Sequence, residues 1–102
     1  MSVVVVATIR PKPEHTDEVI AAFTAIIGQV HAEDGCELYA LHRADDRLIM
    51  VEKWASAEAL GVHSKGAALA ALGPQLAGKV SGPPEVIVSR AVPAGDAAKG
   101  QL

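Results

Sequence analysis

Apolar residues along this chain switch between two spacings, and the switches mark out its elements. Val3-Val4-Val5-Val6-Ala7, within Ser2 to Ile9, is a β-branched run with no polar alternation. It predicts a strand covered on both faces. Arg10-Pro11-Lys12-Pro13 breaks it, because proline cannot donate to a ladder. From Pro13 to about Glu33 the spacing becomes helical: Val19, Phe23, Ile26, Ile27 and Val30 form one stripe. Pro13 suits the first helical position, and Glu14, Asp17 and Glu18 sit where the helix dipole favours negative charge. Asp34-Gly35 closes the helix, with Gly35 suited to a left-handed cap.

Alternation returns over Cys36 to Arg43, where Leu38, Ala40 and His42 oppose Glu37, Tyr39 and Leu41. Ala44-Asp45-Asp46 makes a turn. Arg47 to Trp54 then runs back, with Leu48, Met50, Glu52 and Trp54 on one face and Ile49, Val51 and Lys53 on the other. Ser56 caps a short helix, Ala57 to His63. A second helical piece covers Ala67 to Leu72, Gly73-Pro74 interrupts it, and Gln75 to Lys79 has room for one more turn. Glu85 to Arg90 is a fourth strand. The order βαββαβ predicts an α+β, ferredoxin-like domain over residues 1–92, with helices on one face of an antiparallel sheet. The uncovered face is apolar at Ile49 and Val51, which marks an interaction surface. The simplest partner is a second copy related by a two-fold axis. The tail, 93–102, is expected to be flexible or packed on that partner.

Composition narrows the function classes. The chain has 102 residues, half of them apolar, with one Phe, one Tyr and one Trp. Its core must therefore come from Val, Ile, Leu and Ala. A net charge of −3 without a Lys/Arg cluster argues against nucleic-acid binding. No apolar run approaches a membrane span, and no signal peptide opens the chain, so a cytoplasmic location is expected. Cys36 is the lone cysteine and has no partner for an internal disulfide. His15, His31, His42 and His63 lack metal-ligand spacing, and no glycine-rich phosphate loop is present.

Four stretches together resemble the antibiotic biosynthesis monooxygenase (ABM) family of the dimeric α+β barrel superfamily. They are Val3 to Ala7, Gly35-Cys36-Glu37-Leu38-Tyr39, Val51-Glu52-Lys53-Trp54, and Glu58-Ala59-Leu60 followed by His63-Ser64. The resemblance spans roughly residues 2–92. It implies a homodimer whose sheets face each other as a barrel, with a pocket between each sheet and its helices. Characterised members include cofactor-free oxygenases of quinols and polycyclic phenols, haem-degrading proteins, and a branch acting on a phosphorylated signalling sugar. Trp54 and His63 match family site positions. The haem-degrading members and the polyketide oxygenases also use an asparagine, and this chain has none. That counts against haem as a cofactor.

Cofactor-free oxygenation needs a base near neutral pH, an apolar pocket, and a donor for the developing oxyanion. His63 is the candidate base, because histidine titrates in that range. Its other reading is a histidine closing a helix end. Trp54 is the second candidate catalytic residue, stacking on a planar substrate and donating its indole N–H, or else the largest core side chain. Tyr39 is a hydroxyl donor or a packing residue. Met50, Leu48 and Phe23 are the expected apolar wall. Glu52, on the face of Trp54, either orients His63 or pairs with Arg47 or Arg90. The expected activity is a cofactor-independent monooxygenase acting on a small quinol or phenolic aromatic with dioxygen. An isomerase or lyase, and a non-catalytic binding barrel, are the alternatives.

Overall fold

The computed structural model describes residues 1–102. Strand β1 (Val3–Ile9) leads through a single 3₁₀ turn (Pro13–His15) into α1 (Thr16–His31). Then come β2 (Cys36–Arg43), β3 (Leu48–Trp54), α2 (Ala57–Ser64), α3 (Ala67–Leu76) and β4 (Glu85–Ser89). All strand pairs are antiparallel, in the order β2-β3-β1-β4. This is the ferredoxin-like arrangement expected from the sequence.

The long helix starts later than expected. Pro13 opens the 3₁₀ turn, where the His15 N–H donates to the Lys12 carbonyl at 2.8 Å, and α-helical bonding begins only at Thr16. The predicted stripe holds: Val19, Phe23, Ile26 and Val30 are buried against the sheet, and Ile27 is half-buried beside them. Gly35 then reverses the chain at φ +81°, a conformation that side chains disfavour. Glycine is doubly required, because a Cβ there would come within 2.6 Å of the Ala59 Cβ. The third helix corrects the expectation that Gly73-Pro74 would break it. It runs on to Leu76 with Pro74 inside. Pro74 lies in the last turns, so its missing N–H removes only one bond, to the Ala70 carbonyl. Continuation brings Leu76 against the core beside buried Leu72. A hydrogen-bonded turn follows, the Lys79 N–H donating to the Leu76 carbonyl at 2.9 Å, and Lys79 and Ser81 then bond back to Lys12 and Arg10.

Within one chain β1 is covered on one side only, which corrects the two-sided reading. Val3, Val5, Ala7 and Ile9 are buried under the helices, while Val4, Val6 and Thr8 are half-buried on the open side. A β-bulge at Cys36/Leu38 turns Cys36 to the same cross-strand position as Trp54, and beyond it Tyr39 faces the helices opposite Glu52. Trp54, Leu48 and Met50 are fully buried beneath the helices.

Candidate functional site

Three aromatic rings meet where β3 ends and α2 begins. Ser56 starts α2 by accepting the Ala59 N–H at 3.1 Å, and two turns later the helix delivers His63 over the strand end. The imidazole lies 4.4 Å from the Trp54 ring at a 30° tilt. Tyr39, brought in by β2, meets His63 edge-on at 5.4 Å and Trp54 at 6.4 Å. His63 is only 3% exposed.

Two carboxylates flank the imidazole. His63 Nδ1 donates to Glu33 Oε1 at 2.8 Å, from just beyond the end of α1. On the other side, Glu52 Oε1 lies 4.0 Å from Nε2 and accepts the Trp54 indole N–H at 2.9 Å. Because a carboxylate can only accept here, Nδ1 is the donor, and the neutral ring carries its lone pair on Nε2. No buried side-chain nitrogen or oxygen is left both sealed and unpartnered. Nε2 makes no hydrogen bond, with Glu52 Oε1 at 4.0 Å, and so is not sealed from free space.

That space is a cavity of about 150 Å³ between sheet and helices. Ala7, Ile9, Met50 and Phe23 line it, with Leu69, Leu72 and Leu76 from α3 and Val80, Gly82, Pro84 and Val86 closing one side. Tyr39, Glu52 and His63 supply its polar points. Four of the sequence-predicted site residues thus share one chamber: His63, Tyr39, Met50 and Phe23. Trp54 and Leu48 do not line it. Trp54 backs His63 from inside the core, and Leu48 sits toward the far end of β3, beside an outer depression with Ile20, Ile27 and Leu41. Glu33 was not foreseen. It is 30 residues from His63, and no local pattern marks it. Nor does an arginine pair with Glu52: Arg47 bonds its neighbour Asp46 at 2.9 and 2.8 Å. No three metal-ligating side chains converge anywhere in the chain.

Burial raises the pKa of two groups here. The Tyr39 phenol is pushed well above its ordinary value, first by burial and then by the Glu52 and Glu33 charges, so it stays a hydroxyl donor. Glu52 is raised by burial, against the opposing effects of the Trp54 hydrogen bond and His63. The folded state therefore holds the Glu52 proton to higher pH than the unfolded chain, and stability falls as pH rises through that interval. Glu52→Gln keeps an acceptor for Trp54 and removes the charge. Its melting temperature is expected to exceed that of the wild type at pH 8, and the gap should close at pH 4, by circular dichroism. A gap that persisted at pH 4 would rule out this origin.

Residues 2–73 match the sequence profile described as antibiotic biosynthesis monooxygenase. The chain belongs to the antibiotic biosynthesis monooxygenase family. Solved structures agree with that assignment. Rv0793 from Mycobacterium tuberculosis is 26% identical, with a TM-score of 0.85 over 94% of this chain and 100% of its own. A provisionally assigned antibiotic biosynthesis monooxygenase from Caulobacter crescentus CB15 is 27% identical, with a TM-score of 0.82 over 89% and 90%. A conserved protein from Methanosarcina mazei Go1 shares the fold at 24% identity, with a TM-score of 0.82 over 88% and 92%. No curated protein matches the chain. The family profile covers β1 through most of α3 and so includes Tyr39, Glu52, Trp54 and His63. No helix is long and apolar enough to cross a membrane.

Proposed function

We propose that this ABM-family chain is a homodimeric, cofactor-independent monooxygenase of a single-ring phenol or hydroquinone. The observation that carries the reading is His63 Nε2, opening on an apolar cavity while Glu33 holds Nδ1. Nε2 takes the proton of a ring hydroxyl. The phenolate passes one electron to dioxygen, and the two radicals combine to a ring peroxide. Nε2 returns its proton to the outer peroxide oxygen. The O–O bond then breaks as the oxygenated ring carbon gives up its hydrogen, so the outer oxygen leaves as water with one hydrogen from Nε2 and one from that carbon. One oxygen atom enters the ring and the other departs in water, so phenol plus dioxygen gives quinone plus water. Tyr39 supplies the hydroxyl donor beside the developing anion. Met50 and Phe23 form apolar wall.

Size supports a single ring. A sealed apolar cavity of roughly 150 Å³ accommodates benzene, whereas sites for drug-sized ligands run to roughly 300–1,000 Å³. Haem does not fit such a space, and no lysine or arginine lines it to hold propionates. Purified protein stripped of metal and flavin is to be given a panel of hydroquinones in an oxygen electrode. Uptake above the protein-free rate supports the oxygenase. Turnover under nitrogen would move the assignment to an isomerase or lyase, and binding without turnover to a binding barrel.

The dimer rests on the open sheet face. Ala40, Val51, Val6 and Ile87 are cross-strand neighbours and make one wholly apolar row over all four strands. The rows on either side carry Lys53 and Ser89, or His42, Thr8 and Glu85. An apolar centre with a polar rim is the anatomy of an interface. At the rim, Lys53 Nζ donates to the Leu102 carbonyl at 2.8 Å, which brings the end of the tail alongside. Val51→Asp is expected to convert a dimer into a monomer in sedimentation equilibrium. A wild type that is monomeric at about 10 µM, a concentration at which a micromolar dimer holds together, would exclude this interface.

A further inference from the structure

The cavity is charged in one sense only. Its ionisable lining is Glu52, His63 and Tyr39, with no lysine or arginine. Glu52 is 6% exposed and reaches no cationic side chain other than His63, at 4.0 Å. Its Oε1 takes the Trp54 N–H; Oε2 has no partner in the chain, yet no buried oxygen is sealed and orphaned. Oε2 therefore opens on the chamber. Glu33, the other carboxylate near His63, is outside the cavity lining.

We propose that Glu52 determines substrate charge: the chamber accepts neutral ring alcohols and rejects rings that bear a carboxylate or phosphate. This deepens the reading above and rests on its single-ring site. An anionic substituent on the inner side of the ring stands within a few ångströms of the Glu52 carboxylate. It would lose its water there and gain no counter-charge except a protonated His63, which could then no longer act as base. A neutral hydroxyl meets the opposite situation. Oε2 accepts its hydrogen, and the ring keeps its apolar faces against Met50 and Phe23. The Trp54 N–H holds Oε1, so the rejecting charge is fixed in place rather than free to swing away.

The test is anaerobic binding at pH 8, followed by NMR of the Trp54 indole and the His63 ring in the full chain. The probes are hydroquinone, 2,5-dihydroxybenzamide and 2,5-dihydroxybenzoate. The amide and the acid have nearly the same shape, so their ratio isolates charge. The wild type is expected to bind the amide at least about tenfold more tightly than the acid, the scale of one close like-charge contact under partial screening. In Glu52→Gln, checked by its melt, the ratio should fall to within about threefold. Equal binding of acid and amide by the wild type overturns the proposal. So does a ratio that Glu52→Gln leaves unchanged, or no binding of any probe at 10 mM. Absence of oxygen uptake would remove the oxygenase and leave this selectivity standing. Equal binding of acid and amide by a wild type that still takes up oxygen with hydroquinone would remove the selectivity and leave the oxygenase standing.

Discussion

His63→Ala is expected to lower hydroquinone-dependent oxygen uptake by roughly 10²–10⁴-fold, the usual contribution of a positioned base. The loss should fall on kcat, with KM nearly unchanged, because proton removal belongs to the transition state while the ring is held by Met50 and Phe23. Chemical rescue separates this role from a structural one: imidazole added to His63→Ala should restore part of the uptake, which the loss of a merely structural side chain would not allow. Glu33→Gln provides the graded control. Its amide oxygen still accepts from Nδ1, so the ring keeps its tautomer and aim, and most activity should survive. Glu33→Ala frees the ring to turn, and misplacement on that scale costs up to about 10²-fold. Equal losses in the two Glu33 variants would show that charge, not orientation, is the contribution of this residue.

Trp54→Ala is expected to cost about 3–5 kcal/mol of stability, the range for emptying a large aromatic site in a packed core. That is a third or more of the roughly 5–15 kcal/mol that holds a typical domain together. Trp54 is fully buried, is the only tryptophan, and shares the core with one Phe and one Tyr. Neighbouring Val and Leu side chains cannot expand to fill the hole. Trp54→Phe dissects the effect. It keeps a ring over His63 but removes the donor to Glu52, which leaves a buried carboxylate oxygen unpaired at about 1–3 kcal/mol. Removing both partners should be cheaper than removing one, so Glu52→Met combined with Trp54→Phe is expected to recover part of that loss. Urea titrations followed by circular dichroism read these variants and the single Glu52→Met: the midpoint should move while the slope stays constant. A double variant weaker than the sum of its parts would rule out the hydrogen bond as the source.

The elements were legible wherever a period repeats. The stripe Val19, Phe23, Ile26, Val30 needs a helix to become a face, and the alternation Leu48, Met50, Glu52, Trp54 needs a strand; both lie beneath the helices as expected. Alternation fixes a face but not a depth. Leu48 and Trp54 share one side of β3, yet neither lines the chamber: Trp54 lies behind the His63 ring, and Leu48 borders the outer depression instead. The Glu33–His63 pair is illegible for a different reason. An acidic residue past a helix end resembles any solvated terminus, and only the folded chain brings the residue after α1 to the imidazole at the end of α2. The Glu52–Trp54 bond, by contrast, was present in the pattern: two residues apart on one strand means side by side on one face.

One wall of the chamber differs from the others. All five residues of β4 are exposed, although Val86, with Pro84 before it, lines the cavity. Segments that bury little surface peel away at small free-energy cost. The outermost ribbon is therefore the least shielded edge of the enclosure in the lone chain, and amide exchange is expected to be faster there than beneath the stacked rings on the opposite side.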